Sequence, residues 1–303
     1  MIKKASTHDK TEIYRIWKSM FAFDDHGSID FFFANYYDMC QSYVLKVDQE
    51  IVSGVCVFTL PMQLNNKVID VSYLVGIFTK EQYQRQGYMK KLIDEVLDIC
   101  AHNTLLTILM AYNPKVYEPF QFEPFIDHQI VQLTGSMISP VSTMNVTYQI
   151  ESKQLLGAYN RFMNYFDGHK KRTVSDFDII KKDMQAQHGK LVGYVENNEV
   201  LGYMMYIVHD QQIEILEIVY FDVDTLMRLL YFASNISYAI KVHISTKENW
   251  KSIFPKATME KVSFLYGKIN DVSLFNDLYN SSIQSISEIP SLLKKSLYFN
   301  EYQ

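Results

Sequence analysis

The stretch Tyr73-Leu-Val-Gly-Ile-Phe-Thr-Lys-Glu-Gln-Tyr-Gln84-Arg85-Gln86-Gly87-Tyr88-Met89-Lys90-Lys91 reads as an apolar strand, a polar loop and a helix that opens at or just after Gly87. Beyond it Leu92, Ile93, Val96 and Leu97 fall on one face of a helix extending to about residue 101. Strand, Gly-bearing loop and helix in that order make an anion site. The first N–H groups of a helix lack acceptors within it and sit at the positive end of its dipole. Gly87 permits close approach of the backbone, and Arg85 with Lys90 or Lys91 adds cationic charge. An ordinary strand-to-helix turn uses the same letters, so the surrounding sequence must decide.

Upstream, Ser6 or Thr7 can cap a helix whose apolar face is Ile13, Ile16, Trp17 and Met20. An aromatic segment follows at 31–37. Strands are expected at 43–47 and 51–60, joined by Asp48-Gln49-Glu50, and at 68–78 after an Asn65-Asn66 turn. Downstream come a strand at 105–111, a short turn or helix at 114–119 and a strand at 128–133.

The pattern then restarts, with helices at 153–166 and 176–185 and strands at 191–195, 200–208 and 213–221. Val47-Asp-Gln-Glu-Ile-Val52-Ser-Gly54 returns as Val195-Glu-Asn-Asn-Glu-Val200-Leu-Gly202, which together with the shared element order points to duplication. The second copy lacks the informative loop: Asp222-Val-Asp224-Thr-Leu-Met227 enters its helix directly. The expected organisation is 1–150, 151–270 and a tail, 271–303.

The chain has 303 residues, 48% hydrophobic and 21% charged, enough for about two domains. A formal charge of −5 disfavours nucleic acid. No apolar run has the length of a membrane span, and the N-terminus does not read as a signal peptide, so a cytoplasmic, membrane-free protein is expected. Cys40, Cys56 and Cys100 read as buried thiols. The histidines show no HxxH or HExxH spacing and there is no Gly-x-Ser-x-Gly elbow, so neither metal nor serine-hydrolase chemistry is expected. The run His169-Lys170-Lys171-Arg172 reads as a solvated basic turn.

Gln84-Arg85-Gln86-Gly87-Tyr88-Met89 after a strand resembles motif A of the GNAT acetyltransferase superfamily, Gln/Arg-x-x-Gly-x-Gly/Ala, with Met89 in place of the small sixth residue. The resemblance implies an α/β fold of mixed sheets flanked by helices. It also implies acetyl-coenzyme A as cosubstrate, its pyrophosphate on Gln84, Arg85, Gln86, Gly87, Tyr88 and Met89 and its pantetheine arm along Val75, Gly76, Ile77 and Phe78. Tyr117-Glu-Pro-Phe-Gln-Phe122 is similar to the family's Tyr-x-x-Phe-Gly-Phe, with Gln121 where Gly is usual. Tyr117 is then the acid that protonates the departing thiolate. A phenol and a thiol of comparable pKa suit that transfer.

Two GNAT-like units, the second degenerate, followed by a tail, are similar to the enhanced intracellular survival (Eis) acetyltransferases, with the third domain mostly absent. In those proteins the terminal carboxylate is the general base, which implies Gln303, or Glu301 beside it, as acceptor of the amine proton. The family's acceptor wall falls on Asp24, Asp25, His26 and Phe33, where carboxylates can attract a cationic amine and rings can wall it. The acceptor is accordingly expected to be a small-molecule or peptide amine. The resembling family assembles into homo-oligomers, a point the sequence leaves open here. The competing reading is a non-catalytic scaffold built on the same fold.

Overall fold

The computed structural model describes residues 1–21, 27–209 and 211–301, and they form two compact units. Among the described residues the first comprises those of 1–126 with 264–293, the second those of 127–263 with 294–301. These units do not follow the expected cuts after 150 and 270. The segment following 263 returns to the first unit because Tyr266, Gly267, Lys268 and Ile269 pair with the edge strand of that unit's sheet. Of the residues expected to form a tail, 271–293 group with the first unit and 294–301 with the second.

The first unit begins β1 (Ile2–Lys4), α1 (Thr7–Met20), α2 (Ser28–Phe31), β2 (Gln41–Val47), β3 (Glu50–Leu64), β4 (Lys67–Thr79), α3 (Tyr88–Asn103) and β5 (Leu106–Leu109). Ser6 caps α1 through a reciprocal box with Asp9. Asp48 and Gln49, then Asn65 and Asn66, all take positive φ, giving tight hairpins at β2–β3 and β3–β4. β4 and β5 are parallel, linked through α3, and the other pairs are antiparallel. Leu92, Ile93 and Val96 of α3 are fully buried against Val55, Leu74 and Leu109 on one face of the sheet. Trp17, Phe32 and Phe58 pack together on other elements of the unit, with the Trp17 and Phe32 rings 4.7 Å apart.

β6 (Glu123–Thr134) leads into the second unit, which continues β7 (Val146–Thr147), α4 (Ser152–Met163), β8 (Gly168–Lys170), α5 (Val174–Ala186), β9 (Lys190–Glu196), β10 (Glu199–His209), β11 (Gln212–Tyr220), α6 (Val223–Ser234), β12 (Ala239–Ser245) and α7 (Trp250–Ile253). β13 (Thr258–Ile269) and α8 (Val272–Tyr279) close the chain's regular structure. The duplication expected from the hairpin holds at the level of topology. β9, β10 and β11 are antiparallel, and α6 carries β11 to a parallel β12, as α3 carries β4 to β5. Asn197 and Asn198 repeat the positive φ of Asp48 and Gln49.

The two copies differ at the helix that follows the third hairpin strand. The Asp222 side chain accepts the Thr225 N–H at 2.7 Å and Asp224 lies in the first turn, so the start of α6 is already capped and negatively charged. Pairing of β11 with β12 stops at Ile215↔Val242, and the carbonyl of the next residue, Leu216, accepts the Asn300 amide at 2.8 Å. The C-terminal segment therefore lies where the second pair of parallel strands separates.

That segment is held by a buried ionic network that corrects the reading of 169–172 as a solvated turn. His169, Lys170 and Arg172 are all buried. The Arg172 guanidinium grips both Glu217 oxygens at 2.7 and 2.9 Å and donates through Nε to Glu301 at 2.8 Å, while Lys170 reaches Glu301 at 3.0 Å. Tyr203 donates to Glu217, and Tyr159 stacks under Arg172. A cluster of basic letters looks solvated in one dimension. Here the matching carboxylates arrive from 45 and 129 residues away.

Candidate functional site

The strand β4 pairs with β5 only from Val71↔Leu106 to Leu74↔Leu109, where β5 ends, and then runs on to Thr79. Among the described residues no strand covers that side of β4 beyond Leu74. Its backbone N–H and C=O groups there form an open edge, of the kind an extended ligand can pair with. The opening coincides with a bulge: Gly54↔Phe78 and Cys56↔Val75 leave Gly76 and Ile77 of β4 facing Val55 alone. Gly76 has φ +60°, and a Cβ there would lie 1.8 Å from the Trp17 ring, so glycine is required on both counts.

Residues 80–87 carry the chain from this edge to the start of α3. Lys80 is tied to Glu12 and Glu50 at 3.1 and 2.9 Å, and the Tyr83 hydroxyl donates to Glu50 at 2.7 Å. The side-chain amides of Gln84 and Gln86 donate to the carbonyls of Thr79 and Gln82, so they brace the loop from within. Arg85 is exposed in a left-handed conformation, and Gly87, the N-cap, is left-handed at φ +82°. No side chain caps α3 and its first turn holds no acid, the reverse of α6. A Cβ on Gly87 would meet nothing within 4 Å. Open space, uncapped N–H donors and a nearby guanidinium meet the requirements of a diphosphate. The Met89 side chain packs against the core beneath α3.

The structure thus brings Val75, Gly76, Ile77, Phe78 and the run from Gln84 to Met89 to one continuous strand, loop and helix start. The Phe78 ring lies over Gly54. Tyr117 follows β5 in a pair of short 3-10 turns, where it packs on the same core as Tyr88 and Met89, 6.1 Å from the Phe122 ring. Burial raises its pKa above the ordinary 10, which keeps the phenol protonated and able to donate at neutral pH. Gln121 sits at φ +65°, the backbone reason that glycine is usual there. Gln121→Gly should therefore stabilise the first unit by about 0.5–1 kcal/mol, read as a higher urea midpoint.

Phe33 is buried, stacked 4.9 Å from Tyr37 and edge-on to Trp17 and Tyr14, within a π-helical turn at Phe32–Tyr36. Asp24, Asp25, His26 and Gln303 lie outside the described residues. Glu301 does not suit the role of proton acceptor: it is buried, and its two oxygens are engaged by Arg172 and Lys170. Burial alone would raise its pKa, but the two cations outweigh that and hold it below the carboxylate norm, which makes it a weak base. No group of three His, Cys, Asp or Glu residues among those described could hold a metal ion. Cys56 and Cys100 are buried and Cys40 is half-buried. Among the described residues no helix is long and apolar enough to cross a membrane.

Sequence reasoning missed the contact between Trp17 and Gly76, having placed Trp17 on a plain core face. The signal was available, because a lone glycine inside a strand marks a bulge or a close approach.

Residues 1–125 match the family model for the acetyltransferase (GNAT) domain. The fold of the chain is that of solved GNAT proteins. Among similar structures, a protein of Enterococcus faecalis V583 described as a probable N-acyltransferase is 14% identical over 91% of this chain and 74% of its own, with a TM-score of 0.78. Eis1 of Mycobacterium abscessus is 12% identical over 90% of this chain and 75% of its own, with a TM-score of 0.68. A tandem GNAT protein from the clavulanic acid biosynthesis pathway is 7% identical over 89% of this chain and 98% of its own, with a TM-score of 0.59. No curated relative matches the sequence.

Proposed function

We propose that the chain is an N-acetyltransferase that moves the acetyl group of acetyl-CoA to a primary amine by direct attack in a ternary complex. The observation that carries this reading is the open edge of β4 from Val75 onward, leading into the uncapped, acid-free start of α3 at Gly87. Val75, Gly76, Ile77 and Phe78 would hold the pantetheine arm by their backbone, and the N–H groups at Gly87, Tyr88 and Met89 would hold the diphosphate beside Arg85. Bound there, acetyl-CoA supplies an activated thioester.

The neutral amine forms the new C–N bond at the thioester carbonyl and the C–S bond breaks. The thiolate takes the proton of Tyr117, and the proton released from nitrogen returns to the phenolate through solvent. Holding both reactants in one groove supplies much of the rate. The capped and acidic start of α6, with the C-terminal segment at the corresponding opening, supports a structural role for the second unit.

The test is titration calorimetry with acetyl-CoA on the full chain, followed by thiol release across a panel of amines. Saturable one-site binding is expected, and Gly87→Val should weaken it about tenfold or more, through strain at φ +82° and a side chain in the phosphate cradle. Binding with no turnover on any amine would favour the scaffold reading.

A further inference from the structure

Trp17 is 5% exposed, and its indole Nε1–H is buried with no hydrogen-bond partner among the described residues. Buried tryptophan N–H groups ordinarily find an acceptor, because an orphaned donor has lost its water without replacement. Its surroundings explain why no protein acceptor reaches it. The rings of Phe21, Phe32 and Phe33 lie 5.7, 4.7 and 5.2 Å from the indole. The ring also lies against Gly76: a Cβ built there would fall 1.8 to 2.6 Å from Cζ2, Cη2 and Cε2, and Cε2 is the carbon bonded to Nε1.

The indole that carries the orphan donor thus lies, by its benzo edge, against the one residue of β4 that is both bulged and left-handed, immediately past the point where β4 parts from β5. Bulges beside active sites re-aim the backbone, and a missing Cβ allows another group to come close.

We infer that the Trp17 indole N–H is an acyl-positioning donor, reserved for the thioester carbonyl oxygen of a ligand lying along the β4 edge. This rests on the reading of that edge as the acetyl-CoA groove. The chemistry selects the partner. An indole N–H only donates, so it cannot recognise the N–H groups of a protonated amine. A free thiol is a weak acceptor, whereas an acyl carbonyl is a good one. The inference therefore separates acetyl-CoA from CoA, two ligands that share every phosphate and pantetheine contact.

The experiment compares both ligands on the wild-type chain and on Trp17→Phe, which keeps an aromatic ring and removes the N–H. The variant is expected to lose about fivefold in acetyl-CoA affinity and to bind CoA as before, the size of one neutral hydrogen bond. Because the chain has two tryptophans, a nitrogen-15 indole spectrum of the wild type shows two N–H signals, and the variant assigns the one from Trp17. That signal is expected to move downfield with acetyl-CoA and to stay in place with CoA.

Equal effects on both ligands, or none on either, overturn the inference while leaving the groove intact. Failure of the wild type to bind acetyl-CoA overturns the groove itself. If Trp17→Phe does not fold, the wild-type spectrum still decides, since a pair of indole signals that acetyl-CoA and CoA shift alike contradicts the assignment.

Discussion

Tyr117→Phe is expected to lower kcat by about 10²-fold or more, the usual contribution of a positioned general acid, while acetyl-CoA binding changes less than twofold. The separation follows from where the residue stands. The phenol is on the segment after β5 and not on the loop that would hold the diphosphate, and its ring packs against the unit core whether or not the oxygen is present. Burial raises its pKa, so the donor form persists through neutral pH and the activity it supports should fall only in alkali, above its ordinary pKa of 10. Loss of that alkaline limb in the phenylalanine variant, read in a pH profile of kcat, separates a proton donor from a packing residue. An unchanged rate at neutral pH would remove Tyr117 from the mechanism.

The largest stability effect is expected at Arg172. Its guanidinium neutralises Glu217 and Glu301 at 2.7 and 2.8 Å, and all three side chains are at most 3% exposed. Arg172→Met fills much of the volume but strands two carboxylates in the interior, a loss of about 3–5 kcal/mol. The exposed pair Lys90–Asp94 on α3 gives the contrast: Asp94→Asn there should cost roughly 0.5 kcal/mol or less.

The network also fixes a pH dependence. Burial would raise the carboxyl pKa values of Glu301 and Asp176, but Arg172 and Lys170 outweigh it at Glu301, and Lys170 with hydrogen bonds from Thr173 outweighs it at Asp176, holding them below their ordinary 4.5 and 3.8. Their stabilising contribution is complete above those values and is lost as pH falls through the folded ones. His128 and His169 act earlier. Burial lowers them from 6.5 to about 3 and about 4, so the unfolded chain binds more protons below pH 6.5. Urea midpoints for the second unit should therefore fall steadily from pH 6.5 to pH 4. A flat profile over that range would contradict the buried, neutral placement of the two histidines.

Much of the candidate site was legible because it is local. A strand, a loop and a helix start lie within nineteen consecutive residues, and hydrophobic periodicity with one glycine suffices to order them. The repeated hairpin was legible for the same reason. What the letters did not carry is non-local. The return of β13 to the first unit depends on pairing Gly267 with Ile108, residues far apart in sequence. The burial of Arg172 depends on acids from β11 and from the C-terminal segment. The contact of Trp17 with Gly76 depends on a helix and a strand meeting across the sheet. In each case the residue looked ordinary until its partner was known.

The most direct measurement is a crystal structure of the chain grown with acetyl-CoA. The account predicts the diphosphate within hydrogen-bond distance of the N–H groups of Gly87, Tyr88 and Met89, with the pantetheine arm running beside Val75, Gly76, Ile77 and Phe78. Ligand bound at any other surface, with the β4 edge and the start of α3 left bare, would contradict it.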